Sequence, residues 1–274
     1  MRTSERPTFK SSLTQLIKTI DRRYELREHG TVHSLERVFG GRRPGTVVVL
    51  AGARGTGKTA LALNLALSAA REAPVLMISL ETSSSQLLER ILSIEAQLDA
   101  SNLASGALDA KAWVGVTKAC GLLSNLPITV EDRTPMSRAR IEKAVNKWAA
   151  GSTRSRNGII VIDGMRRLSG KVDEWLTKLA QRSNACVIVT TGISSEADTR
   201  EEHRPMLTDV RPRALERVAD VLALLYRPEL DAADFDEKDR GVVEVVLAKN
   251  DAGPRTALRL RFDSACSRYA SEPL

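Results

Sequence analysis

The stretch "VLAGARGTGKTALALNLA", residues 49–66, sets a glycine loop between an apolar run and a helical pattern. Within it, "GARGTGKT" fits the spacing G-x-x-x-x-G-K-[ST] at Gly52, Gly57, Lys58 and Thr59, after a strand-like run and at the opening of a helix. The spacing has a physical cause: glycines let backbone N–H groups turn inward around phosphates, and the helix that follows points its positive end at them. Gly52, Ala53, Arg54, Gly55, Thr56, Gly57, Lys58, Thr59 and Ala60 are therefore read as a nucleotide cradle. Lys58 would reach the β and γ phosphates, and the Thr59 hydroxyl would ligate Mg²⁺. The loop alone leaves open what is done with the nucleotide.

From Thr46 onward apolar runs alternate with helical patterns, which predicts an α/β fold with a mostly parallel sheet. Strands are expected at about 46–51, 75–80, 127–130, 158–163, 186–191 and 220–226. Val172, Trp175, Leu176 and Leu179 mark one helix, and Ile141, Val145 and Trp148 mark another behind the start signal Thr134 and Pro135. Near the end, "GVVEVVLA" and "TALRLRF" flank "KNDAGPR", which reads as a hairpin extending the sheet on one edge. Before it, "PELDAADFDEKDR" is acidic, lacks aliphatic periodicity, and is expected to be a solvated loop. At the other end, Leu13, Leu16, Ile17, Ile20 and Tyr24 give residues 13–24 an amphipathic helical face. That helix either packs back on its own domain or docks on another subunit.

With 274 residues and 42% hydrophobic content, the chain has room for one large domain plus an appendage. Its apolar runs are strand-sized, short of the about 20 residues a membrane helix needs, and the polar start "MRTSERPTFK" lacks a signal segment. A cytoplasmic protein with no membrane partner is expected. Cys120, Cys186 and Cys266 have no metal-binding spacing, and a disulfide is not expected. The net charge of +7 permits a polyanionic partner without requiring one.

A metal-side carboxylate is expected at the tip of another strand, and "GIIVID" delivers Asp163 there. "VLMISLE" ends a further strand with Glu81, expected beside the phosphate-loop strand as base for the attacking water. The competing reading makes Glu81 an exposed helix cap before "TSSSQ".

With these residues in place, the chain resembles the RecA-like motor domain of DnaB-type replicative helicases, from about residue 10 to the end. The matching stretches are "SLERVFGGRRPGTVVVLAGARGTGKTALALNLA", "PVLMISLETSSSQLLERILS", "LPITVEDRTPMSRARIEKAV", "HRPMLTDVRPRALERVADVLALLYRPE" and "GVVEVVLAKNDAGPRTALRLRFDSACSRY". The resemblance implies a P-loop ATPase using ATP and Mg²⁺, with Lys58, Glu81 and Lys249 in catalysis and Thr59 and Asp163 on the metal. It implies a hexameric ring with nucleotides between subunits, in which an N-terminal linker helix (residues 1–34) docks on the neighbour of the ATPase domain (35–274). It implies single-stranded DNA gripped by Arg211, with Arg213 and Arg217 nearby; a solvated face is the other reading of these arginines. DNA replication, and a helicase or other replication partner, follow from the same resemblance.

The chain departs from the pattern in three places. The hairpin lysine is matched by Lys249, but the arginine finger's position two residues later holds Asp251, with Arg255 further on. After "VIVTT", Gly192 stands where the family has a γ-phosphate-sensing glutamine. The DNA loop is one residue shorter, and the acidic and glycine positions beside Arg211 become Pro212 and Ala214. The chain is also expected to lack the family's N-terminal helical domain. An alternative reading follows from Asp251: an ATP-binding paralogue that does not translocate and serves as scaffold or regulator.

Overall fold

The computed structural model describes residues 43–131, 136–151, 158–168, 171–200, 203–231, 235–251 and 253–271. The expected helix at 13–24 and the start signal at Thr134 and Pro135 lie outside the described residues.

Strands β1 (Val47–Gly52), β2 (Val75–Ser79), β4 (Ile159–Asp163), β5 (Cys186–Thr191) and β6 (Val221–Tyr226) are buried along their whole length. Continuous Val, Ile and Leu runs suit them to the middle of a parallel sheet covered on both faces. β3 (Ile128–Glu131) is only half-buried, as suits an edge. The sheet has nine strands in the order β3-β2-β4-β5-β1-β6-β7-β8-β9, parallel as far as β6. β7 (Val242–Asn250), β8 (Ala257–Asp263) and β9 (Arg268–Ser271) add to it antiparallel, so the expected hairpin does extend one edge and carries a third strand that periodicity did not reveal.

This order corrects one expectation. β2, which leads to Glu81, pairs with β3 and β4 and not with β1; β4 and β5 stand between them.

The two faces of β1 divide the core. Val48 and Leu50 face α1 (Lys58–Ala70), and Leu260, Phe262 and Tyr269 of the hairpin close over the same cluster, which is why α1 is buried nearly all round. Val47, Val49 and Ala51 face the other layer, which contains Ile141, Val145 and Trp148 of the helix Arg138–Gly151 and Leu176 and Leu179 of Asp173–Ser183. Both helices fall where their apolar spacing predicts.

Between β2 and β3 run the helices Ser84–Ala96, Ala100–Ser105 and Ala110–Leu123. The first is capped by Ser83, which accepts from the Gln86 amide in a reciprocal capping box, so the cap is Ser83 and not Glu81. The acidic stretch is less solvated than its composition suggests. Asp231 is buried beside the Tyr226 hydroxyl at 3.3 Å and His203 at 2.8 Å, and Glu229 accepts from the Gly241 amide at 2.8 Å. No helix among the described residues is long and apolar enough to cross a membrane.

Candidate functional site

The loop after β1 is shaped by its glycines. A Cβ on Gly52 would sit 2.7 Å from the Leu225 carbonyl oxygen and 2.8 Å from the Thr56 hydroxyl. Gly55 and Gly57 have φ of +86° and +89°, a region L side chains avoid. α1 begins at Gly57 with no side-chain cap, so its first-turn amides remain available to an anion. The Lys58 ammonium folds back across the loop to donate to the Ala53 carbonyl at 2.5 Å. Burial lowers its pKa to about 8, against the opposing pull of Asp163 and Glu81 and with the help of Arg166. A partly desolvated cation between carboxylates is suited to taking a phosphate.

The loop is held from behind by the far end of the chain. The Tyr269 hydroxyl occupies the place a Gly57 side chain would take and is shared between the carbonyls of Thr56 and Gly57, at 3.3 Å each. Burial raises the phenol's pKa well above its ordinary value, keeping it a donor. Arg227 donates to the Gly55 carbonyl at 3.2 Å, pairs with Glu229 and lies 5.0 Å over the Phe262 ring, which stacks on Tyr269 at 4.7 Å.

Asp163 comes to the loop from the tip of β4. Its Oδ1 accepts from the hydroxyls of Thr59 at 2.9 Å and Thr190 at 2.6 Å, while its buried Oδ2 has no partner among the described residues. A buried carboxylate oxygen with an open valence beside a threonine hydroxyl is the donor set of a hard divalent cation, so the residues fit Mg²⁺.

Glu81 reaches the same end of the sheet by way of β4. The Leu80 amide donates to the Asp163 carbonyl at 2.9 Å, and the Glu81 side chain lies on Gly164 (φ +91°), where a Cβ would stand 2.6 Å from its Cγ. Its Oε1 is 3.9 Å from Arg167 Nε, and the side chain is half-exposed. Lys58, Thr59, Asp163 and Glu81 therefore converge although their strands are not neighbours.

Lys249 does not join them. It pairs with Leu222, near the start of β6, whereas Gly52 pairs with Leu225, three residues toward the carboxyl end. Its ammonium lies 3.5 Å from Asp251, the residue at the finger position. Within one chain these two residues lie away from the phosphate loop.

The three arginines have different surroundings. Arg211 donates to the Thr208 carbonyl at 2.8 Å and approaches Glu196 at 3.5 Å, Arg217 pairs with Asp173 at 2.7 Å, and Arg213 is exposed. The segment carrying Arg211 is tied to the tip of β5. Its amide donates to the Gly192 carbonyl at 3.2 Å, its carbonyl accepts from the Thr191 hydroxyl, and Val210 bridges to Ile193.

The model of the family described as DnaB-like helicase C terminal domain matches residues 29–271. This chain belongs to that family. It is similar to replicative DNA helicase DnaB of Geobacillus stearothermophilus, 30% identical over 253 residues that cover 86% of this chain and 55% of that protein. It is likewise 29% identical to replicative DNA helicase DnaC of Bacillus subtilis, over the same shares. The chain thus spans about half the length of these curated relatives. Among solved structures, the ATPase domain of G40P superposes with a TM-score of 0.82 at 22% identity, covering 98% of this chain and 100% of that one. A DnaB-like replicative helicase, described together with its interactions with primase, superposes at 0.81 with 22% identity, covering 98% and 68%. The fold of this DnaB-like domain is the RecA-like ATPase fold.

Several site residues escaped sequence reasoning. Tyr269 and Arg227 are set against the loop only by hairpin packing, without a local signal. Thr190 had one: a polar residue closing the apolar run "CVIVT".

Proposed function

We propose that this chain is an ATP-hydrolysing motor domain of the DnaB type, working on single-stranded DNA as a ring. The convergence of Lys58, Thr59, Glu81 and Asp163 on one glycine loop carries the reading. In it, the loop amides and Lys58 hold the phosphates. Thr59 and Asp163 hold Mg²⁺, which when bound neutralises phosphate charge. Glu81, reaching in over Gly164, orients the attacking water and takes its proton, with Arg167 beside it. Residues 35–274 form the ATPase domain and 1–34 the linker whose helix docks on a neighbouring subunit. Arg211, with Arg213 and Arg217 nearby, meets the DNA backbone, so binding falls with salt and ignores sequence. Lys249 and Asp251 face a neighbour's nucleotide in this reading.

The test is steady-state ATP hydrolysis with and without single-stranded DNA over a range of protein concentrations. Stimulation by DNA supports the motor; bound ATP with turnover near zero in both cases overturns it. Replacing Lys58 by alanine should weaken ATP binding by about 2–3 kcal/mol, roughly 30- to 150-fold, through loss of a charge-assisted phosphate contact. Equal ATP affinity in Lys58→Ala and the parent, measured by titration calorimetry, would remove the loop from the nucleotide site.

One observation favours the scaffold reading. Asp251 brings a negative charge to the position where a finger would stabilise phosphate, and its ion pair occupies Lys249. Asp251→Arg should then raise DNA-stimulated turnover, by up to roughly 10³-fold if the neighbour's site lacks only that charge. No change in turnover would show that the missing finger does not limit this protein.

A further inference from the structure

Gly192, at the tip of β5, is a glycine for space and not for backbone conformation. Its φ lies outside the left-handed region, yet a Cβ there would stand 2.7 Å from Arg166 Cδ and 2.9 Å from Arg166 Nη1. The Arg166 side chain runs through the room that the missing side chain leaves.

Its origin is equally defined. Asp163 ends β4, Gly164 turns the chain with φ +91°, and the buried Met165 anchors the short 3₁₀ turn Met165–Arg167. From that turn the two arginines part. Arg167 goes toward Glu81, and Arg166 goes toward β5. Arg166 is exposed and forms no hydrogen bond or ion pair among the described residues. Its charge is nevertheless felt at the Lys58 ammonium, after burial and the carboxylates of Asp163 and Glu81. A guanidinium so placed stands at the phosphate end of the sheet, its donors not taken up by any described residue. Planar, permanently charged and forked, it matches phosphate oxygens better than any other side chain.

We propose that Arg166 is an in-chain ligand of the terminal phosphate of bound ATP, admitted over the tip of β5 by Gly192. The amides of the loop and of the first turn of α1 serve the inner phosphates. The terminal phosphate points toward the end of β4, where Asp163, Glu81 and Arg166 meet. Arg166 then supplies, from within the same chain, positive charge at the position that Asp251 of the hairpin cannot provide.

The proposal rests on the ATP-site reading above, and the experiment separates the two. The full chain is titrated, with Mg²⁺ present, against ADP and against the non-hydrolysable analogue AMP-PNP, for the parent, Arg166→Ala, Arg166→Lys and Gly192→Val. Arg166→Ala should lose about tenfold or more in AMP-PNP affinity while ADP affinity stays within about twofold, as expected for one charge-assisted contact to the terminal phosphate. Arg166→Lys should recover part of the loss. Gly192→Val, which keeps the charge and closes its path, should reproduce it. Unfolding midpoints without nucleotide should match the parent for the exposed Arg166 variants, excluding a folding defect. If Arg166→Ala leaves both affinities unchanged, or weakens both equally, the terminal-phosphate role is overturned while the ATP site stands. If the parent binds neither nucleotide, both readings fall.

Discussion

Replacing Glu81 by glutamine should leave ATP bound and cut turnover by about 10²–10⁴-fold, the range contributed by a positioned general base. Glutamine has the same length and can still rest on Gly164, so the loop, Lys58 and the Thr59–Asp163 pair are undisturbed. What it lacks is a carboxylate to accept the proton of the attacking water. The measurement is DNA-stimulated kcat beside the Kd for a fluorescent ATP analogue. Turnover at the parent rate would refute the assignment. Gly164→Ala offers an independent approach to the same group. Its Cβ would press on Glu81 Cγ from 2.6 Å, at a φ of +91° that alanine resists. It should depress kcat with little change in nucleotide affinity.

Removing the Arg200 side chain should cost more stability than losing an exposed ion pair would, because it leaves the buried Asp209 carboxylate without two of its donors. Asp209 is 1% exposed and accepts from Arg200 at 2.6 and 3.0 Å and from the Met206 amide at 2.7 Å. The Arg200 bonds hold the Asp209 carboxyl below its ordinary pKa, against burial, with the Met206 amide contributing less. A carboxyl depressed in the folded state stabilises above its unfolded pKa of about 3.9, and that contribution is lost as pH falls through the folded value. In Arg200→Ala burial is opposed chiefly by one amide, so Asp209 takes up a proton more readily. The gap between parent and variant should therefore be widest near neutral pH and narrow below about pH 4. Urea unfolding at pH 7 and in mild acid reads both. A loss under about 1 kcal/mol at pH 7 would mean that the pair behaves as a surface ion pair. The Asp209 carbonyl also accepts from the Ser194 amide at 2.7 Å, so the variant should loosen the segment that bears Arg211 and weaken any binding of single-stranded DNA.

The phosphate loop, the runs that become β1 to β6, the Asp163 tip and the alternating hairpin strands were legible because each signal is local. A glycine spacing, a stretch of β-branched residues ending in a carboxylate, and a two-residue alternation are all imposed by neighbours along the chain. Strand order is not local. Nothing within "VLMIS" says that it pairs with "IIVID" and leaves two strands between it and β1, so the route by which Glu81 approaches Lys58, across Gly164, depends on the assembled sheet. The same holds for Tyr269, brought against Gly57 from the other end of the sequence, and for Thr190, which orients Asp163 from the neighbouring strand. Gly192 shows the division most sharply. In the sequence it is an absent side chain; in the fold it is the space that Arg166 fills. Chemistry-bearing residue types can be read along the chain because short-range spacing selects them, but which of them face one another is decided by long-range pairing, whose register no short window contains.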